Sequence, residues 1–311
     1  MRAFIFPGQG SQSVGMGAAL ADASSVARAV FEEVDHALDQ NLFRIMREGP
    51  IEELTLTENA QPAIMANSIA TLKVMESEGG KSLREMASLV AGHSLGEYSA
   101  LCAAGAFDLS TTARLLKLRG QAMQRAVPVG QGAMAALLGA SLESAQALAE
   151  AAAGDEVCTV ANDNDPTQVV ISGEREAIER AVTMVSEFGI KRGIILPVSA
   201  PFHCSLMQPA ADAMAHALDE TDILAPMVPL FANVTAAAVS DAEAIRGLLV
   251  EQVTGSVRWR ETVANMAIAD TLEFVEIGGK VLTGMVKRIA PDCMATSIVS
   301  MDDIEALLKR I

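Results

Sequence analysis

Ala87-Ser88-Leu89-Val90-Ala91-Gly92-His93-Ser94-Leu95-Gly96-Glu97-Tyr98-Ser99-Ala100-Leu101 is the stretch on which the fold of this chain turns. Its apolar start, Ala87 to Ala91, reads as a short buried strand, and Leu95 to Ala104 reads as an apolar-rich helix. Between them Ser94 is bracketed by Gly92 and Gly96, the G-x-S-x-G pattern of a serine presented on a sharp strand-to-helix turn. Only glycine leaves room for such a turn. The N–H groups and dipole at the start of the following helix would favour an oxyanion. Taken alone, the pentapeptide equally describes a glycine-flanked loop serine, and the rest of the chain must decide.

Upstream, Ala3 to Phe6 reads as a buried strand that runs at once into Pro7-Gly8-Gln9-Gly10-Ser11-Gln12. Gly8 and Gly10 supply the first half of a dinucleotide fingerprint, but Ser13 stands at its third glycine and Pro7 interrupts the passage from strand to loop, so that reading fails. A loop at the C-terminal end of a strand is better used to bring backbone N–H groups and the Gln9 amide to a reacting oxygen. Helical periodicity dominates from Gly17 to Met46 and from Gln61 to Met75.

Downstream, Leu109 to Leu142 carries Arg114, Lys117, Arg119 and Arg125 and no acidic residue. On a helical wheel Arg114, Lys117, Gln121 and Arg125 share a solvated stripe, whereas Arg119 falls in phase with Leu115, Ala122 and Ala126 on the apolar face. An arginine facing the interior needs a carboxylate. Either a structural Asp or Glu supplies it or a small ligand does, with Gly120 expected to leave the space, unless the side chain snorkels to solvent instead. Between residues 129 and 198 the texture changes to strand (Gly132 to Leu138), helix (Ser141 to Ala153), strand (Val157 to Ala161), strand (Gln168 to Ser172), helix (Arg175 to Phe188) and strand (Gly193 to Val198). That β-α-β-β-α-β order predicts an inserted ferredoxin-like subdomain, with Asn162 to Pro166 as the turn between its central strands. The main unit, residues 1–128 and 199–311, resumes at Ser199-Ala200-Pro201-Phe202-His203-Cys204, just past a strand end. His203 is therefore the leading candidate for the base that a serine nucleophile requires. His93 adjoins Ser94 but is expected to point away, and His36 and His216 lie in helical stretches. Strands then alternate with helices to the end of the chain, which predicts an α/β fold: a mostly parallel sheet with helices on both faces, like an α/β-hydrolase core.

Composition narrows the function classes. The 311 residues are 50% hydrophobic but only 4% aromatic, which suits aliphatic strands covered by helices. With 23 Lys plus Arg against 39 Asp plus Glu, a formal charge of -16, nucleic acid and anionic membranes are excluded as partners, and an acidic partner must meet a local basic patch. No apolar run approaches the roughly 18 residues of a membrane span. Met1 leads straight into strand-like sequence without a signal-peptide progression, and Cys102, Cys158, Cys204 and Cys293 form no C-x-x-C pair, so a cytoplasmic location is expected. The four histidines offer no metal-ligand spacing, so no metal is expected. Gly278-Gly279-Lys280 lacks the rest of a phosphate loop.

In order along the chain, FPGQGSQ (6 to 12), GHSLGEYSAL (92 to 101), LRGQAM (118 to 123), the inserted β-α-β-β-α-β unit and PFHCSLM (201 to 207) resemble the malonyl-CoA:acyl carrier protein transacylases of type II fatty acid synthesis. The resemblance covers essentially the whole chain. It implies that Ser94 is acylated, that His203 is the general base, that Gln9 and the Leu95 N–H form the oxyanion hole, and that Arg119 binds the malonyl carboxylate. It also assigns to Gln252, in EQVTGSVRW (251 to 259), a backbone carbonyl that orients the histidine. No reading of the residues alone singles out Gln252. Phe202 before His203 resembles the malonyl-selecting form of related domains, whereas Glu276-Ile277-Gly278-Gly279-Lys280 departs from the family's more usual Gly-Pro-Gly. The implied partners are malonyl-CoA and holo acyl carrier protein. The implied enzyme is a monomer with no cofactor of its own, since the phosphopantetheine belongs to the carrier. Arg114, Lys117, Lys191, Arg192, Lys287 and Arg288 are the cations expected to meet the carrier or the CoA phosphates. A serine hydrolase or thioesterase is the nearest alternative, but α/β-hydrolases place the histidine near the end of the chain, whereas roughly a hundred residues follow His203 here. A non-catalytic carrier-binding module and an acyltransferase serving polyketide synthesis are the other readings.

Overall fold

The computed structural model describes all residues, 1–311, as an α/β protein built on two sheets. Its strands are β1 (Arg2–Phe6), β2 (Leu89–Gly92), β3 (Gly132–Leu138), β4 (Cys158–Asp165), β5 (Gln168–Glu174), β6 (Arg192–Ile195), β7 (Leu230–Ala232), β8 (Ala237–Val239), β9 (Glu273–Ile277) and β10 (Met294–Ile298). The larger sheet has the order β10-β9-β1-β2-β7-β8 and is parallel except for β8, a short hairpin partner of β7 that the sequence pattern did not reveal. Residues on successive positions of β1 and β2 go to opposite faces: Phe4, Phe6 and Val90 join the main core, whereas Ala3, Ile5, Leu89 and Ala91 join a second core with Trp259, Val263 and Val286. Burial on both faces explains why these strands read as unbroken apolar runs rather than alternating ones. The Thr57–Gly79, Leu95–Ala103 and Leu109–Ala126 helices cover the first face, and the Trp259–Ile268 and Leu282–Ile289 helices the second.

The smaller sheet is antiparallel with the order β4-β5-β3-β6, the ferredoxin-like arrangement. Ala133, Ala135, Leu137, Val169 and Ile171 pack with the Leu142–Ala153 and Arg175–Met184 helices in a core of their own, which supports treating residues 129–198 as a subdomain. The opposite face, with Met134, Ala136, Ala161 and Val170, continues into the main core. Two expectations are corrected here. The turn placed at Asn162–Pro166 shrinks to Pro166 and Thr167, because β4 runs on to Asp165 through two register shifts against β5. Its polar residues do not face water. Asp163 pairs with Arg260 at 2.9 Å, Asp165 pairs with Arg288 at 2.7 Å, and Asn164 meets His93 at 2.8 Å, so the strand is a seam joined to the larger unit. The last strand, expected to reach Val198, ends at Ile195, ahead of Pro197, which has no N–H to offer a ladder. No helix is long and apolar enough to cross a membrane.

The ends of β1 and β2 approach so closely that the glycines around Ser94 are dictated by space. A Cβ on Gly96 would lie 2.2 Å from the Phe6 carbonyl oxygen, and one on Gly92 would lie 1.9 Å from the Gly96 carbonyl carbon. In both cases the obstacle is backbone, which cannot swing aside. Gly96→Ala is therefore expected to lower stability by about 3 kcal/mol. Urea unfolding of the variant, at wild-type m-value, is the measurement.

Candidate active site

Ser94 sits between β2 and the Leu95–Ala103 helix with φ 52° and ψ −111°, a conformation that costs a non-glycine residue about 1–3 kcal/mol. Asn233, at the end of β7, holds the turn from both sides: its Oδ1 accepts the Ser94 N–H at 2.8 Å, and its Nδ2 donates to the Gly92 carbonyl at 2.7 Å. The Ser94 hydroxyl is thereby aimed at His203. Its Oγ lies 2.8 Å from His203 Nε2, while His203 Nδ1 lies 2.9 Å from the Gln252 carbonyl and 3.1 Å from that of Gly255. Two carbonyls can only accept, so Nδ1 carries the proton and Nε2 is left free to accept one from Ser94. His203 is buried, and burial together with the nearby Arg119 cation pushes its imidazolium down to about 3. At neutral pH the ring is an uncharged acceptor.

Arg119 reaches the same point from the Leu109–Ala126 helix. The side chain is buried, and its hydrogen bonds all go to uncharged groups: Gln61 Oε1 at 2.9 Å, Gln252 Oε1 at 2.8 Å and Ser94 Oγ at 3.2 Å. Of the two sources of a carboxylate left open by its place on the apolar face, the structural one is missing within ion-pair distance. The expected space beside Gly120 is filled instead by the Thr57–Gly79 helix: a Cβ there would lie 2.6 Å from Glu58 Cα. The open volume is a cavity of about 350 Å³ on the other side, lined by Gln9, Ser94, Leu95, Arg119, Phe202 and His203 and by Met134 and Val170 of the smaller sheet. Gln9 and the first N–H of the Leu95–Ala103 helix thus border the space beside the serine hydroxyl. His93 turns away from Ser94 to Asn164, as its place across the turn requires.

Gln252 does more than lend its carbonyl. Its amide Nε2 donates to the Ser94 carbonyl at 3.1 Å and to Glu97 Oε2 at 2.8 Å, while its Oε1 receives Arg119. Glu97 is itself buried and also accepts the Asn233 N–H at 3.1 Å. Sequence reasoning missed Glu97, Asn233 and Gln61. Glu97 left a signal, a lone acid inside the apolar helix LGEYSALCAA, whereas nothing local marks Asn233 or Gln61. Among the expected docking cations, Lys117 is engaged by Glu58 at 3.2 Å and Arg288 by Asp165 at 2.7 Å; Arg114, Lys191, Arg192 and Lys287 are exposed. The departing Gly278-Gly279 loop is held by Glu276, which caps the next helix by accepting the N–H groups of Val281 and Thr283 at 2.8 and 2.9 Å.

A hydroxyl between a neutral imidazole and an unpaired guanidinium, with backbone N–H groups at a helix start, is equipped for acyl transfer to and from a substrate bearing a negative charge. The acyl transferase domain family matches residues 3–287. The malonyl CoA-acyl carrier protein transacylase of Escherichia coli K12 is 42% identical over 99% of this chain and 98% of its own length. The crystal structure of the acyl-carrier-protein S-malonyltransferase of Bartonella henselae is 52% identical, covers 99% of this chain and 98% of its own, and superposes with a TM-score of 0.97. A malonyl-transacylase solved in complex with its holo type II PKS acyl-carrier protein is 42% identical, with a TM-score of 0.96 over 100% of this chain and 99% of its own. The chain belongs to the acyl transferase domain family, among the malonyl CoA-acyl carrier protein transacylases.

Proposed function

We propose that Ser94 carries a malonyl group, as an ester, from malonyl-CoA to the phosphopantetheine thiol of acyl carrier protein for fatty acid synthesis. The observation that carries this reading is the position of Arg119: a buried cation with only neutral protein partners, 3.2 Å from the hydroxyl that His203 can deprotonate. As the Ser94 oxygen attacks the thioester, its proton passes to His203 Nε2, and the Gln252 and Gly255 carbonyls steady the imidazolium through Nδ1. The oxyanion is met by the Leu95 N–H and Gln9. Collapse of the intermediate expels CoA thiolate, which takes the proton from His203. The second half-reaction runs the same steps backwards, with the carrier thiol as nucleophile, so donor and acceptor use the site in turn. The protein works as a monomer in the cytoplasm and holds no cofactor of its own, the phosphopantetheine remaining on the carrier. Arg114, Lys191, Arg192 and Lys287 are the cations left to face that acidic partner.

Selectivity follows from desolvation. With acetyl in place of malonyl, the Arg119 guanidinium keeps no anion, a penalty on the order of 2 to 4 kcal/mol, or roughly a 30- to 1,000-fold preference. Phe202, lining the cavity, adds bulk against a branched acyl chain.

Intact-protein mass spectrometry after mixing with malonyl-CoA is expected to show a malonyl adduct that vanishes in Ser94→Ala and moves to holo acyl carrier protein when that is added. Discharge to water instead would identify a hydrolase. Arg119→Ala is expected to reduce malonyl transfer by a factor in the 30 to 1,000 range while sparing acetyl transfer, roughly the loss of one buried charged pairing; equal loss of both acyl groups would assign Arg119 a structural role. Because the imidazolium of His203 lies near 3, sulfonylation of Ser94 by a neutral sulfonyl fluoride is expected to keep most of its rate at pH 5. A base titrating like an ordinary histidine would have lost roughly nine-tenths or more of it there.

A further inference from the structure

Glu97 is a buried acid joined by hydrogen bonds to the groups around Ser94 and Arg119, and its connections are specific. Its Oε2 accepts Gln252 Nε2 at 2.8 Å and the Asn233 N–H at 3.1 Å, and a single amide separates it from Arg119, whose Nη2 lies 2.8 Å from Gln252 Oε1. The site therefore holds one buried cation and, across one neutral amide, one buried carboxyl group. A substrate carboxylate on Arg119 adds a second negative group beside these buried side chains, where uncompensated charge is costly. We infer that the site takes up a malonyl group together with a proton, which Glu97 receives as the substrate carboxylate settles on Arg119. This rests on the malonyl transfer proposed above.

The surroundings leave Glu97 as the proton's destination. Burial raises its carboxyl to about 7, opposed by the bonds from Gln252 and Asn233 and by Arg119. Tyr98, beside it on the same helix, is pushed up to about 12 and stays neutral. His203 and His93 are both held below the ordinary histidine range by burial and stay neutral as well. The Ala242–Thr254 helix and the end of β7 face Glu97 with uncharged Gln252 and Asn233, and the Thr57–Gly79 helix keeps Glu58, Lys73, Glu76 and Glu78 at its solvent-facing positions. Arg119 is the cation that favours ionised Glu97. Pairing Arg119 with a substrate carboxylate withdraws that support, so the folded protein binds a proton more tightly with malonyl bound than without. Below about pH 7 Glu97 is protonated in both states and binding is insensitive to pH. Above it, each malonyl group bound draws one proton from solvent, and affinity falls by up to about tenfold per pH unit until the raised value is reached.

The test is the ratio of kcat/KM for malonyl-CoA to that for acetyl-CoA between pH 6 and pH 9, in which titration of the shared CoA phosphates and of the base cancels. In the wild-type protein the ratio is expected to fall about fivefold or more above pH 7, and in Glu97→Gln to stay flat. A flat wild-type ratio, or an undiminished slope in Glu97→Gln, overturns the inference. Should Glu97→Gln not fold, infrared difference spectra of Ser94→Ala at pH 8, above the value of free Glu97, decide: a protonated-carboxyl band that appears with malonyl-CoA and not with acetyl-CoA supports proton uptake, and its absence excludes it. Failure of the transferase reading would look different: at every pH either no malonyl adduct would form on Ser94 or the adduct would discharge to water instead of moving to holo acyl carrier protein.

Discussion

The backbone at Ser94 is the constraint on which the site depends. A residue at φ 52° and ψ −111° is held there against its own preference, and Asn233 clamps the turn through the Ser94 N–H and the Gly92 carbonyl. The clamp is possible because β7 lies next to β2 in the sheet and ends at the same level. Gly92 and Gly96 let the helix start directly over the ends of β1 and β2, where any side chain would strike backbone. The serine's exposure to the cavity, its distance to His203 and the placing of the Leu95 N–H all follow from this one turn.

Around it, the site is organised as a small set of buried polar groups that satisfy one another. Gln252 is central: its carbonyl fixes the tautomer of His203, its amide N–H groups bind the Ser94 carbonyl and Glu97, and its amide oxygen steadies Arg119. Buried networks of this kind are rigid when complete and costly when one member is missing. Arg119 is the exception by design of its surroundings, since every protein partner it has is neutral. The proposed binding of a substrate carboxylate rests on this buried cation, whose protein partners are all neutral.

The smaller sheet contributes walls rather than chemistry. Met134 and Val170 face the cavity from β3 and β5, and the acidic end of β4 is fastened to the larger unit through Asp163 with Arg260 and Asp165 with Arg288. Burial alone would raise the Asp165 carboxyl, but Arg288 and Thr167 outweigh it and hold it below the usual carboxylate range. A run of Asn and Asp that looks like a solvent turn is in fact a seam, because its partners come from residues about a hundred positions downstream.

Much of the architecture was legible in the chain itself. Apolar runs alternating with helical periodicity gave the parallel sheet covered on both faces, the β-α-β-β-α-β texture gave the second sheet, and glycine spacing gave the turn at Ser94. Arg119 stood out because a charge in phase with alanines and leucines has no local reason to be there. These are local properties: period, steric allowance and mismatch between a residue and its own helix face. The roles of Asn233, Gln61 and the Gln252 side chain, the seam along β4, and the pairing of Lys117 with Glu58 and of Arg288 with Asp165 could not be read this way. Each depends on groups far apart in sequence that meet only when the strand order is set, and a polar side chain carries no mark of the partner that will satisfy it. The sequence by itself determined which residues could do acyl-transfer chemistry; the tertiary structure decided which of them share one cavity, because burial and hydrogen-bond partnership are properties of the packed chain.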